Sequence, residues 1–261
     1  MIEADYFIGP IRIHMYSWIL LAGVLAGFFV ARKLANRQGI EIRHIENLIF
    51  LNIIAGFFGA RVFHVFTSLD YYKNAPIEIF YIWQGGLGIF GGLAAGVIVT
   101  FLYARRNTIS FLKIADLLTP GLALAQSIGR WGNFFNQEAY GYPTDLPWKI
   151  FIASDHRFPG FETVEYYHPT FLYESLILLA LFIVLFRFRT TSRSGWILAT
   201  YLILYGISRY WIEDIRLDTN FLHTASANQV ISVLLVVAGT LLMVFASSLR
   251  KQPIFDTIDK A

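Results

Sequence analysis

The stretch Gly129-Arg-Trp-Gly-Asn-Phe-Phe-Asn-Gln-Glu-Ala-Tyr-Gly141 concentrates the residue types that bind anions. Arg130 offers a planar fork of five donors that can grip a phosphate through two oxygens at once. Asn133, Asn136 and Glu138 add donors and acceptors within one or two turns. Gly129, Gly132 and Gly141 allow tight turns and a close approach of backbone to ligand. The plainer reading is a helix C-terminus followed by a loop, with Arg130 snorkelling to a membrane interface. That reading does not account for an arginine, two asparagines, a glutamate and three glycines in so short a run.

The apolar run from Ile114 to Ile128 leads straight into this stretch, and the rest of the chain has the same character. Over 261 residues it is 56% hydrophobic and 15% charged, with a mean hydropathy of +0.54. Soluble domains carry roughly a quarter charged residues, so the chain reads as a polytopic, all-α membrane protein. Its net charge of +3 is then a matter of where charges fall, not a sign of nucleic-acid binding. Cysteine is absent, which excludes disulfides, thiolate metal sites and a cysteine nucleophile in the protein itself. The opening Met-Ile-Glu-Ala-Asp lacks the basic segment of a signal peptide, so the first apolar run is expected to stay as a span.

About 20 apolar residues cross a bilayer. Seven transmembrane helices are expected: Ser17–Leu34, Ile45–Phe66, Ile79–Tyr103, Ile114–Ile128, Pro169–Phe186, Gly195–Ile212 and Asn228–Ala246. Lys and Arg cluster after the first, third, fifth and seventh, and the alternate loops are poor in them and carry Asp and Glu. The positive-inside rule then puts the N-terminus outside and the C-terminus in the cytoplasm. Residues 1–261 form a single transmembrane domain, with a small extracytoplasmic head at about 131–168.

This topology gathers scattered residues at one depth. Arg61, Arg130, Arg209 and Arg216 all fall near the outer ends of spans two, four and six. Charge inside a membrane marks function by default, so these arginines suggest an electropositive pocket open to the outer leaflet. Each could instead snorkel alone to lipid phosphates. Glu213, four residues after Arg209, can pair with it along one helical face. Gln84, Gly85 and Gly86 interrupt the third span, where a broken helix is tolerated only against protein or a cavity.

These segments resemble the prolipoprotein diacylglyceryl transferase family over nearly the whole chain. The Gly129–Gly141 run matches the family signature G-R-x-G-N-F-x-N-x-E-x-x-G at every fixed position. Tyr16 matches a first-helix tyrosine, and Gly59-Ala-Arg61 a second-helix G-[GA]-R. His168-Pro-Thr-Phe-Leu-Tyr-Glu174 resembles H-P-[ST]-x-L-Y-E, and Tyr205-Gly-Ile-Ser-Arg209 with Glu213 and Arg216 resembles Y-G-x-x-R…E…R. Gln84–Gly92 resembles Q/E-G-G-x-x-x-H-G-G, but Phe90 stands where the family has histidine.

The resemblance implies transfer of diacylglyceryl from phosphatidylglycerol to the lipobox cysteine thiol of a preprolipoprotein, the first step of lipoprotein maturation. The partners would be that lipid, the lipobox signal peptide and surrounding membrane lipids, with no cofactor, metal or nucleic acid. Site and function would lie at the outer face of the bacterial cytoplasmic membrane. Arg130, Arg209, Tyr205 and Tyr16 would be catalytic. Arg61, Gln84, Gly85, Gly86, Asn133, Asn136, Glu138, Gly141, His168, Glu174, Glu213 and Arg216 would hold substrate. With Phe90 unable to take a proton, the expectation is that the arginines' positive field ionises the thiol. Tyr205, Glu138 or His64 is the alternative acceptor. An anion or lipid transporter would need repeat-related halves, and none is evident. An intramembrane protease would need a motif such as G-x-S-x-G or H-E-x-x-H, and neither occurs. A lipid-binding scaffold is the remaining alternative.

Overall fold

The computed structural model describes residues 5–8, 11–188, 193–220 and 227–248, with the side chains of 5–8, 11–13, 84, 219 and 220 left out of that description. A hairpin of β1 (Asp5–Ile8) and β2 (Ile11–His14) leads into α1 (Met15–Arg37). Then follow α2 (Ile42–Thr67), α3 (Leu69–Asn74), α4 (Ile89–Arg106) and α5 (Phe111–Asn136). A short antiparallel pair, β3 (Ile150–Phe151) and β4 (Tyr166–Tyr167), precedes α6 (Thr170–Arg187). The chain continues through α7 (Trp196–Ile215), α8 (Leu217–Asn220) and α9 (Ala227–Ser248). The all-helical expectation holds, with two small hairpins added.

Six helices are long and apolar enough to cross a membrane: α1, α2, α4, α5, α6 and α9. Their outward side chains are what a bilayer would accept: Phe58, Phe66, Leu241 and Val244 are each about two-thirds exposed. The seventh expected span, α7, is a full 20-residue helix. Arg209, Glu213 and Asp214 in its last turns dilute its apolar run.

Two boundaries differ from expectation by more than a helical turn. The third span was expected from Ile79, yet the helix starts only at Ile89, after two 3₁₀ turns (Pro76–Phe80 and Ile82–Gln84). Gly85 and Gly86 have φ of 89° and 74°, in the left-handed region that a continuous helix cannot contain. The fourth span was expected to end at Ile128, but α5 continues to Asn136. Arg130, Asn133 and Asn136 are therefore helical, and the connection to α6 begins at residue 137, not 131.

Clustering of contacts divides the chain into residues 1–34 with 116–261, and residues 35–115. In the first unit, α1 meets α5 backbone to backbone: a Cβ on Gly23 would lie 2.9 Å from the Ala125 carbonyl, and one on Gly121 would lie 2.6 Å from that of Gly27. Small residues make this approach possible where lipid offers no hydrophobic drive for helix association. Asp116 of α5 accepts backbone N–H bonds from Gly195 (2.6 Å) and Leu198 (2.8 Å). It thereby caps α7 from a neighbouring helix, satisfying donors that a helix start leaves open. In the second unit, α2 and α4 touch at Gly59 and Gly91, where a Cβ on either would fall within 2.5 Å of the other's carbonyl oxygen.

The segment between α5 and α6 builds a small core from Tyr140, Ile152 and Tyr167 together with Leu217 of α8. The Tyr140 hydroxyl donates to the His156 carbonyl (2.8 Å) and accepts from the Phe158 N–H (3.0 Å). The Tyr167 hydroxyl contacts the carbonyls of Phe161 and Val164, each at 3.0 Å. Burial pushes both phenols above their ordinary pKa, so both stay neutral donors.

Candidate active site

The last two turns of α5 set the first half of the site. Positions 130 and 133 fall at i and i+3 and so share one helical face. Gly132 lets the Tyr16 ring lie against the helix: a Cβ there would sit 2.3 Å from a ring carbon. Tyr16 is thereby close enough to feel the charges of Glu138 and Arg130. Gly129 faces open space within 4 Å, so neither glycine makes the turn expected from sequence. The turn comes later, where Gln137 and Ala139 adopt φ of 50° and 54°. Non-glycine residues hold such angles at a cost of roughly 1–3 kcal/mol each. Here the Gln137 side chain accepts the Ala153 N–H (2.6 Å) and the Thr170 hydroxyl donates to the Ala139 carbonyl. Glu138, between them, accepts a bond from the Asn136 amide at 3.1 Å.

Gly141 is where three segments join. Its N–H bonds the His168 carbonyl at 2.9 Å, and a Cβ would meet the Ile215 carbonyl at 2.7 Å and His168 Cβ at 2.8 Å. Tyr142 bonds Ile215 (3.0 Å) and Leu217 bonds Tyr140 (3.2 Å) through their backbones. These rungs seat the end of α7, and Arg216 with it, beside the start of α6. The His168 ring contacts the Tyr173 hydroxyl (3.1 Å), which accepts the Trp148 indole N–H at 2.8 Å.

Glu174, on the second turn of α6, is the centre of the second half. It is 5% exposed, and three guanidinium groups meet it. Arg130 Nη2 lies 2.9 Å from Oε2, while Arg209 Nη1 and Arg216 Nη1 lie 3.1 Å and 3.7 Å from Oε1. Arg209 also pairs with Glu213 four residues on (2.8 Å), and Glu213 accepts the Asn228 amide at 2.7 Å. Arg216 grips Asp218 through two nitrogens, Nε to Oδ1 at 2.9 Å and Nη2 to Oδ2. Tyr205 stacks on Tyr201 with centroids 5.4 Å apart and planes 8° from parallel. With Glu174, Ser208 and Arg209 it lines a crevice of only about 10 Å³.

The electropositive pocket expected from sequence is corrected by this geometry. Arg130, Arg209 and Arg216 face Glu174, Glu213 and Asp218, so the cluster is formally neutral. The reason is that buried charges are costly unless paired. What the cluster offers is unspent donors. Arg130 makes that one ion pair and no other polar contact among the described residues. The buried Nη1 of Arg209 touches Glu174 without an aligned hydrogen bond. A polar cavity of about 490 Å³ opens beside Arg130, lined also by Asn133, Asn136, Glu138, His156 and Arg216.

Arg61 is placed differently, within residues 35–115. It is buried, and donates to the carbonyls of Glu78 (2.6 Å), Ile79 (2.9 Å), Gly85 (2.7 Å) and Gly86 (3.0 Å). A Cβ on Gly86 would strike both His64 and Arg61, whereas Gly85 is uncrowded. The Gln84 side chain lies outside the described residues. Phe90 packs edge-on against Phe63 with centroids 6.1 Å apart. No group of three His, Cys, Asp or Glu able to hold a metal occurs among the described residues.

Sequence reasoning missed Asp116, Gln137, His156 and Asp218. Asp116, an acid inside an apolar run, was the one with a readable signal. The others matter through contacts that no spacing announces.

Fold and site define a polytopic helical membrane protein with paired arginines around a buried carboxylate, beside a polar cavity. The chain belongs to the prolipoprotein diacylglyceryl transferase family, whose model matches residues 5–245. It is similar to proteins named phosphatidylglycerol–prolipoprotein diacylglyceryl transferase from several bacteria. The relative from Fervidobacterium nodosum is 40% identical, over 92% of this chain and 84% of its own length. Those from Gloeobacter violaceus and Synechococcus elongatus are 40% and 39% identical, over 89% and 94% of this chain and 88% and 87% of theirs.

Proposed function

We propose that the chain carries out diacylglyceryl transfer at the Arg130–Glu174–Arg209 cluster and the cavity beside it. It is a transferase of lipoprotein maturation, moving diacylglyceryl from phosphatidylglycerol to a prolipoprotein thiol. The acceptor is the lipobox cysteine of the preprolipoprotein signal peptide, and glycerol phosphate leaves. The observation that carries this siting is the arrangement of Arg130: partly exposed beside the buried carboxylate of Glu174, with donors unspent and facing a polar cavity.

Arg130 and Arg209 take the phosphate oxygens as charge builds on the leaving group, through charge-assisted hydrogen bonds held in place beforehand. Glu174 holds both guanidinium groups in place before substrate arrives. Asn133, Asn136 and Glu138 meet the headgroup hydroxyls. Tyr16 and Tyr205 orient the ester region or the thiol. Gly141 and His168 build the joint that seats Arg216, and Glu213 aligns Arg209. Arg61, Gln84, Gly85 and Gly86 shape the break before α4. No metal or cofactor takes part.

The setting is the bacterial cytoplasmic membrane, with surrounding lipids as further partners. α7 serves as the seventh span, since 20 residues at 1.5 Å each reach about 30 Å. The N-terminus lies outside, the C-terminus in the cytoplasm, and the segment between α5 and α6 forms an extracytoplasmic head on a single membrane domain. The excess of Lys and Arg in alternate loops supports this orientation. Single cysteines at Thr144 and Arg105 are expected to label from outside and inside respectively, and the reverse would overturn the topology. The activity is tested with purified chain, labelled phosphatidylglycerol and a lipobox peptide. A thioether-linked diacylglyceryl peptide is expected, and its absence with intact protein would sink the proposal.

A further inference from the structure

Forming a thioether requires the cysteine proton to leave, and the cavity offers few acceptors. An ordinary thiol has a pKa of about 8.5, so only a few per cent is thiolate at pH 7. The arginine cluster is matched by carboxylates and supplies no net positive field to ionise it. The acceptor must therefore be a side chain at the cavity.

Four lining residues can be considered. Asp218 is engaged by two nitrogens of Arg216. Tyr140 spends its hydroxyl hydrogen on the His156 carbonyl and is held neutral by burial. Glu138 already accepts from Asn136, and a carboxylate is a weak base toward a thiol. That leaves His156, and imidazole is the side chain most often used as a general base. Its Nδ1 sits 3.2 Å from Asp155 Oδ1, and this contact holds the Asp155 carboxyl below its ordinary pKa. With Nδ1 so occupied, Nε2 is the nitrogen left to exchange a proton.

Its placement follows from the backbone joint at the end of α5. His156 ends a 3₁₀ turn, Ser154–His156. Tyr140 bonds its carbonyl, and the Gln137 side chain bonds Ala153 just before the turn. The imidazole is thus tied to the same stretch of chain that presents Arg130. The charged and titratable groups around the cavity are Arg130, Arg216, Glu138 and Asp218, with Asp155 and Tyr140 at the imidazole's own turn.

We propose that His156, held by Asp155, is the general base that takes the proton from the substrate thiol. The proposal rests on the cavity being the transfer site. The thiol proton passes to Nε2, and the sulfur attacks the methylene carbon of the diacylglyceryl group. The C–S bond forms as the C–O bond to phosphate breaks, and that electron pair stays on the departing glycerol phosphate. The imidazolium then returns its proton to the product phosphate or to water.

The test uses full-length protein in phosphatidylglycerol vesicles with two lipobox peptides, one bearing cysteine and one selenocysteine, whose selenol is already ionised at neutral pH. His156→Gln is expected to lower cysteine transfer at pH 7 by about 10²–10³-fold. That rate should climb about tenfold per pH unit toward pH 8.5 as the thiol ionises. Transfer to selenocysteine should stay within about threefold of wild type, because no base is then needed. Asp155→Asn is expected to show the same pattern at about tenfold. A His156→Gln protein that keeps at least a third of cysteine transfer would overturn the proposal. So would one that loses both transfers equally, which would mark a binding or folding role. Wild-type protein inactive on both peptides would instead overturn the transfer reading, and the base with it.

Discussion

Arg61 and Arg130 are both arginines on helices of one membrane protein, Arg61 buried and Arg130 partly exposed, and their surroundings use them in opposite ways. Arg61 gives four hydrogen bonds to backbone carbonyls of residues 78–86 and meets no carboxylate among the described residues. Its donors are consumed in holding an irregular segment that could not otherwise satisfy its carbonyls away from water. Arg130 makes a single ion pair with Glu174 and turns its remaining donors to a cavity. One guanidinium is spent on the scaffold and the other keeps donors toward the cavity. Residue type does not distinguish them. What the neighbouring backbone leaves unpaired does.

The most severe break in this comparison is removal of Glu174. Breaking a buried pair by deleting one partner costs about 3–5 kcal/mol, and here three guanidinium groups would lose a common anchor. Glu174→Ala is expected to lower the thermal midpoint and abolish transfer together. A protein with normal stability and turnover would show that the arginines need no central carboxylate.

Arg130→Lys is the next largest. It keeps the charge but not the fork, so a charge-assisted bond worth about 1.5–3 kcal/mol is lost, or one to two decades in rate. The thermal midpoint should barely move. Near-normal turnover in the phosphatidylglycerol assay would reduce Arg130 to an interfacial anchor.

Arg61→Lys is expected to show the reverse balance. Lys presents three donors from one point and cannot span four carbonyls, so stability should fall by about 1–3 kcal/mol. Turnover per folded molecule should drop less than in Arg130→Lys. Equal activity losses without destabilisation would erase the distinction drawn between the two.

The smallest effect is at Gly129. A helical glycine with open space at its Cβ position gains about 0.5–1 kcal/mol on replacement by Ala. Gly129→Ala is therefore expected to be slightly more stable, read as a raised thermal midpoint, whereas Gly132→Ala must displace the Tyr16 ring. Lost transfer in a stable Gly129→Ala protein would mean that substrate fills that space.

Much of this molecule was legible from its sequence, because a bilayer imposes length and apolarity on anything that crosses it. Six of the seven expected spans are long and apolar enough to cross, and the seventh exists as a helix. The run from Gly129 to Gly141, with Glu174, Arg209, Glu213 and Arg216, was marked by polar residues where composition forbids them without cause. The break at Gly85 and Gly86 was marked by glycines.

Only the tertiary structure decided how those charges are shared. Sequence spacing can pair Arg209 with Glu213, because four residues is one helical turn. It cannot bring Arg130, Arg209 and Arg216 to one carboxylate 35 or more residues from each, which takes the packing of α5, α6 and α7. Spacing alone therefore made the site look electropositive, and packing makes it neutral. Nor could it separate Arg61 from Arg130, since both are arginines near a helix end. The carbonyls of Glu78, Ile79, Gly85 and Gly86 point inward only once that segment folds over Arg61. Periodicity reports which face of a helix is apolar, but only the fold determines which polar atoms a buried charge will find there.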